Sequence, residues 1–212
     1  MTERLKRIFD IIPVSQVFAD IGCDHGYIAR AVIESGKAQR VIVSDISAKC
    51  LSKAQTLLYP YIQNGSAVSV VSDGFEKVGE CDTALIAGMG GEEIVSIIEK
   101  ATVLPQRLIL QPMKNCDKVR KKAVELGYKI IKDFMFKAGG KFYDLIYLEK
   151  GKDFLTEEQA EFGKDNILGN NPDFKEMIKE TMQKYVEYQK ALPDGESKDR
   201  LREKIEKLGK YI

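Results

Sequence analysis

The chain has 212 residues, with 33 lysines and arginines against 32 aspartates and glutamates, for a net charge of +1. A hydrophobic content of 44% and a charged content of 31% exclude a disordered or collagen-like chain. The length suffices to bury a core without disulfide or metal staples.

The first predicted element is a helix over Thr2 to Ile12, where Leu5, Ile8, Phe9 and Ile12 share one face and Pro13 stops the pattern. Short apolar runs then alternate with helical stretches. Strands are predicted at Val17–Ile21, Val41–Ser44, Ala67–Val71, Thr83–Ala87 and Arg107–Gln111. Helices are predicted at Ile28–Gly36, Ala48–Tyr59, Glu92–Lys100 and Cys116–Glu125. This alternation implies a parallel sheet covered on both faces. Lys129–Lys137 and Phe142–Glu149, joined by Ala138-Gly139-Gly140-Lys141, predict an antiparallel hairpin ending that sheet.

After Gly151 the pattern is helical. Thr156 to Gln159 forms a capping box with Leu155 placed for a hydrophobic staple, and Asn170-Asn171-Pro172 breaks the chain. Phe174, Ile178, Thr181, Tyr185, Tyr188 and Leu192 form one heptad seam. Leu201, Ile205, Leu208 and Ile212 form a second, after a Pro193-Asp194-Gly195 turn with Ser197 as the expected cap. The pair predicts an antiparallel, coiled-coil-like helical hairpin, either packed on the sheet or protruding toward a partner. The expected fold class is α/β, with one domain over 1–150 and a helical one over 151–212.

No apolar run approaches a bilayer span, and Met1 to Ile12 is too charged for a signal peptide. Cys23, Cys50, Cys81 and Cys116 lack zinc-ligand spacing, and His25 is the sole imidazole. Free thiols, no metal, no membrane and a cytoplasmic location are expected.

The segment richest in chemistry is Asp20-Ile21-Gly22-Cys23-Asp24-His25-Gly26, a loop between a strand and a helix. Its glycines allow tight turning and close ligand approach, and the helix after it offers free N–H groups. A dinucleotide fingerprint fails here, because Asp24 and Tyr27 stand where glycines are required and Asp24 would repel a pyrophosphate. An acid at Asp20 suits a cationic ligand part instead. The D-x-G-x-x-x-G pattern resembles the first motif of class I S-adenosylmethionine-dependent methyltransferases, where the loop holds the methionine part and the acid bonds its ammonium. Asp45, ending the second strand, can bond both ribose hydroxyls. Asp73-Gly74 sits where such enzymes contact the adenine. The candidate cofactor-binding set is Asp20, Gly22, Cys23, Gly26, Asp45, Ile46, Asp73, Gly74 and Ala87, with S-adenosyl-L-methionine as the cofactor.

A sharper resemblance lies in Ile86-Ala87-Gly88-Met89-Gly90-Gly91, which follows the fourth strand. Together with the Asp20–Gly26 loop and Leu108-Ile109-Leu110-Gln111-Pro112, it is similar to the TrmK family, bacterial tRNA methyltransferases that modify N1 of the adenine at tRNA position 22. The resemblance implies a Rossmann-like sheet with a C-terminal coiled-coil-like domain, and a tRNA substrate. It also implies asparagine directly after the Gln-Pro of the fifth strand. This chain has Met113-Lys114-Asn115 there, so Asn115 is the candidate replacement. Asp24, His25, Gly88, Met89 and Asn115 are the candidate catalytic residues, with Asp24 and the Gly88–Gly90 backbone placed to favour a cationic product.

Charge by region bears on the RNA. Residues 1–99 carry −4, residues 100–150 carry +7 and residues 151–212 carry −2. The central excess includes Lys114, Lys118, Arg120, Lys121, Lys122, Lys129, Lys132, Lys137 and Lys141. Lys114, Lys118, Arg120, Lys121, Lys122, Lys137 and Lys141 are the expected RNA contacts. Two other readings stand beside this one: a small-molecule methyltransferase whose helical arm covers the pocket, and a non-catalytic tRNA-binding protein. A monomer or weak homodimer is expected.

Overall fold

A computed structural model describes residues 1–212. Its centre is a seven-stranded sheet of order β3-β2-β1-β4-β5-β7-β6. The strands are β1 (Ser15–Ile21), β2 (Ala38–Asp45), β3 (Ala67–Val71), β4 (Thr83–Met89), β5 (Arg107–Pro112), β6 (Tyr128–Ala138) and β7 (Lys141–Lys150). The first five are parallel, and β7 inserts antiparallel between β5 and β6. The expected α/β class and terminal hairpin are both present.

Alternation along the strands sends neighbouring side chains to opposite faces. Phe18, Val41, Val43, Leu85 and Ile109 pack against α1 (Glu3–Ile11), α2 (Tyr27–Glu34) and α3 (Ala48–Leu57). Ala19, Ile21, Ile86, Leu108 and Leu110 pack against α5 (Gly91–Lys100) and α6 (Cys116–Glu125). The helix expected over Ala48–Tyr59 ends at Leu57, and a separate short α4 (Tyr59–Gln63) follows with Pro60 in its first turn. Proline lacks the N–H that an unbroken helix needs and is at home in a first turn, which accounts for the break.

Beyond β7, the capping box forms: Thr156 Oγ1 accepts from the Gln159 N–H, and Gln159 Oε1 from the Thr156 N–H. It opens α7 (Glu157–Phe162), followed by α8 (Lys164–Leu168). The hairpin is α9 (Pro172–Ala191) and α10 (Glu196–Gly209). Ser197 does not cap α10, because the helix begins one residue earlier with Gly195 at its N-cap. The seam is also shorter than the heptads suggest. Phe174, Ile178 and Leu208 are buried with Phe162, whereas Tyr188 is 64% and Ile212 50% exposed. The base of the hairpin packs on β6, and the far half projects from the sheet.

The strongest attachment of this helical region is Arg120 of α6, which is wholly buried. Its Nε donates to both Asp133 oxygens at 2.9 Å, and its Nη2 donates to Asp133 and to Asp144. Nη1 donates to the Ala160 carbonyl at 3.1 Å. Asp133 also accepts the Lys164 N–H at 3.0 Å, so one ion cluster ties α6, β6, β7, α7 and α8 together. Arg120 is therefore not an RNA contact: its guanidinium is sealed from solvent and its donors are occupied.

Candidate active site

Strand order reverses around β1 and β4, and the crevice beyond their C-terminal ends is where such sheets bind ligands. Ile21 ends β1, and Gly22 turns the chain with φ +70°. The Gly22 and Cys23 N–H groups donate to the Ser44 carbonyl at 2.8 and 3.0 Å, which pins the loop to β2. On β4, the register against β5 shifts between Ala87 and Met89, and Gly88 occupies the irregularity with φ +83°. Only glycine takes that backbone conformation at low cost, and bulges of this kind re-aim side chains beside active sites.

Two hollows result, with two residues in common. One, of about 450 Å³, is bordered by Asp20, Gly22, Cys23, Asp24, His25, Ala87, Gly88 and Met89. The other, of about 420 Å³, is bordered by Gly22, Asp45, Ile46, Asp73, Gly74 and Met89. Gly22 and Met89 belong to both, and a side chain at Gly22 would collide with the Met89 methyl. Apart from Gly26, the N-cap of α2, every expected cofactor residue thus borders one or the other of these adjoining hollows. Two expected catalytic pairs, Asp24 with His25 and Gly88 with Met89, line the first. Asn115 borders neither hollow; it precedes α6, and its carbonyl packs against Gly91.

Asp20 is 5% exposed, and burial, reinforced by the nearby Asp45, pushes its carboxyl up to about 7. A buried acid beside a second acid lacks a cation, which an ammonium group would supply. Asp45 Oδ1 accepts the Ser47 N–H at 2.8 Å and Oδ2 the Asp24 N–H at 3.4 Å, so this acid also shapes the two loops it joins. Ile46 is 71% exposed at the second hollow, an apolar surface suited to a flat ring. These features fit an adenosyl-methionine skeleton: acid for the amine, acid for the ribose, apolar edge for the base.

Asp24 and Asn115 are the only non-glycine residues with positive φ. Asp and Asn tolerate this region best, and such outliers concentrate at functional sites. The Asp24 carboxylate faces Lys53 Nζ at 3.3 Å, and His25 Nε2 lies 3.5 Å from the same ammonium. His25 stacks on Tyr27 with centroids 5.3 Å apart.

Sequence reasoning missed Lys53 and, more consequentially, Arg4. Arg4 sits in the first turn of α1 yet borders the first hollow. Its Nε donates to Gln111 Oε1 at 2.8 Å across 107 residues of chain. Only the unexpected approach of α1 to the strand ends reveals it.

Among the expected basic contacts, Lys118 pairs with Glu92, Lys121 with Glu157, Lys122 with Glu99 and Glu125, and Lys137 with Glu176 and Glu180. Lys114 and Lys141 make no ion pair, and Lys114 packs over Gly90 beside the groove. No residue of the helical arm borders either hollow, so the arm is not a cover for the pocket.

Comparison with known proteins agrees with this geometry. A family model described as a methyltransferase domain matches residues 1–146. The tRNA (adenine(22)-N(1))-methyltransferase of Bacillus subtilis is 31% identical over 156 residues, covering 71% of this chain and 66% of that protein. The crystal structure of the B. subtilis m1A22 tRNA methyltransferase TrmK superposes with a TM-score of 0.85 at 26% identity, covering 100% of this chain and 98% of that one. M. capricolum TrmK, solved with S-adenosyl-homocysteine, shares the fold with a TM-score of 0.88 at 22% identity, covering 100% and 97%. No helix is long and apolar enough to cross a membrane.

Proposed function

The chain belongs to the methyltransferase-domain family, and on that footing we propose that it transfers a methyl group from S-adenosyl-L-methionine to N1 of adenine 22 in tRNA. The likeness to the B. subtilis enzyme carries this reading, because it extends over the whole chain, helical arm included. Residues 1–150 then act as the catalytic domain and residues 151–212 as an arm beside it, in the cytoplasm where tRNA is found.

When bound, S-adenosyl-L-methionine supplies an electrophilic methyl group on a sulfonium. Asp20 would take the amine, Asp45 would bond the ribose hydroxyls, and Ile46, Asp73 and Gly74 would border the adenine. Gly88 and Met89 border the hollow into which the base would enter, with Asp24 and the Gly88–Gly90 backbone placed to lend negative potential to a product that becomes cationic. Neutral adenine N1 carries an available lone pair, so this chain has to orient the base rather than deprotonate it. Orientation alone can supply on the order of 7–11 kcal/mol. The Watson–Crick edge must be freed to enter the groove, so base extrusion at a cost of a few kcal/mol is expected.

Incubation of the protein with unmodified tRNA and methyl-labelled cofactor tests this. Label in tRNA is expected; label in neither wild-type tRNA nor total RNA contradicts it.

A further inference from the structure

Asp24 and His25 border the first hollow, and α3 brings Lys53 up behind them. Lys53 Nζ lies 3.3 Å from Asp24 Oδ1 and 3.5 Å from His25 Nε2, yet Lys53 does not itself border the hollow. His25 Nε2 is 3.6 Å from Asp24 Oδ2, so the three side chains form one cluster. Lys53 and His25 are the only basic groups that reach Asp24. Their spacing is built into the backbone. Asp45 accepts the N–H groups of both Asp24 and Ser47, the N-cap of α3. A Cβ on Gly26 would stand 3.0 Å from the Cβ of wholly buried Ala54, the residue after Lys53. Loop and helix are therefore held together, while the Asp24 and Lys53 side chains, 58% and 44% exposed, are free to turn.

Methyl transfer to neutral adenine N1 moves one positive charge from the sulfonium to the base, and no proton changes hands. A carboxylate that favours this cationic product also delays its departure, and product release sets turnover in many enzymes. We propose that Lys53 is a positioning residue that competes with the methylated base for Asp24. The carboxylate turns from the ammonium toward the cationic ring as the charge arrives, and returns to the ammonium as the product leaves. This rests on the tRNA reading above and on the place of Asp24 in it. An ammonium only donates and an imidazole nitrogen can accept, so His25 Nε2 gives Lys53 a second partner while Asp24 is engaged. Exposed ion pairs are weak enough to exchange in this way.

The test is filter binding of one tRNA in two forms, unmodified and methylated beforehand by the unsubstituted protein, with S-adenosyl-homocysteine present. The proteins are the unsubstituted chain, Lys53→Met, Lys53→Arg, Asp24→Asn and the variant carrying both Lys53→Met and Asp24→Asn. The ratio of the two affinities is read, which cancels any attraction of Lys53 to the phosphate backbone and any general loosening of the loop. Lys53→Met removes the competitor and should shift the ratio toward methylated tRNA by roughly two- to fivefold, the range of one exposed ion pair. Lys53→Arg keeps the cation and should retain the unsubstituted ratio. In the Asp24→Asn background, Lys53→Met should leave the ratio unmoved, because asparagine tolerates the positive φ but carries no charge to compete for. An unchanged or opposite ratio in Lys53→Met overturns the proposal, as does a shift that persists in the Asp24→Asn background. Calorimetric affinity for S-adenosyl-L-methionine should be the same in Lys53→Met; a change there overturns it in favour of a cofactor contact. Failure of the unsubstituted protein to methylate any tRNA overturns the underlying reading instead.

Discussion

Asp20 shows how one residue can be costly to the fold and useful to the ligand. Its carboxyl is held near 7 by burial, against an ordinary 3.8, so across that window the folded state keeps a proton that the unfolded chain has released. Stability therefore falls as pH rises from about 4 to 7, and the ionised form above that range is relieved by a bound ammonium. Two outcomes follow. Calorimetric affinity for S-adenosyl-L-methionine should rise between pH 6 and 8; a flat profile would contradict the assignment. Asp20→Asn should raise the Tm of the free protein at pH 8 while weakening the cofactor roughly ten- to hundredfold, the range of one charged hydrogen bond. Asp45→Asn should weaken the cofactor too, but without raising Tm, because Asp45 already accepts backbone N–H groups from Ser47 and Asp24.

At the scale of elements, the strand–loop–helix units carry the site, and these were readable. The glycine loop after β1 and the acid ending β2 each lie where the sequence predicts, since each is local chemistry set by a strand end, whereas β4 runs two residues past its expected end, to Met89, and takes Gly88 into the sheet as an irregularity. What was not readable depends on packing between distant segments. Arg4 reads as the polar side of an amphipathic helix, and nothing near it in sequence points to Gln111. Arg120 reads as one more cation in a basic helix, because its partners Asp133 and Asp144 lie on two later strands. The difference is measurable. Arg120→Ala leaves buried Asp133 uncompensated and should cost about 3–5 kcal/mol in denaturant unfolding. Lys118→Ala, two residues earlier on α6 and exposed beside Glu92, should leave the unfolding midpoint almost unmoved. Equal effects of the two substitutions would contradict the buried-cluster account.

For the whole molecule, the net charge of +1 conceals an uneven distribution. The +7 of residues 100–150 is itself reduced in three dimensions, because one cation is sealed inside and several lysines meet acids from neighbouring helices. Of the expected RNA contacts, those left without an ion pair are Lys114 beside the groove and Lys141 at the tip of the β6–β7 hairpin, and Lys129 and Lys132 are exposed and unpaired as well. Replacing Lys114 and Lys141 with glutamate should weaken tRNA binding and flatten its salt dependence without altering cofactor affinity, as measured by filter binding and calorimetry. Such exposed ion pairs are weak enough that the paired lysines can still exchange partners for phosphate, so the double substitution should weaken binding without abolishing it.

The central claim is methyl transfer to one atom of one nucleotide, and reverse transcription of the treated tRNA tests it most directly. A methyl group on adenine N1 occupies the pairing edge and halts the copying enzyme. The account predicts a stop at adenine 22 that requires both protein and S-adenosyl-L-methionine. Labelled tRNA that is copied through without a stop, or a stop at another nucleotide, would contradict it.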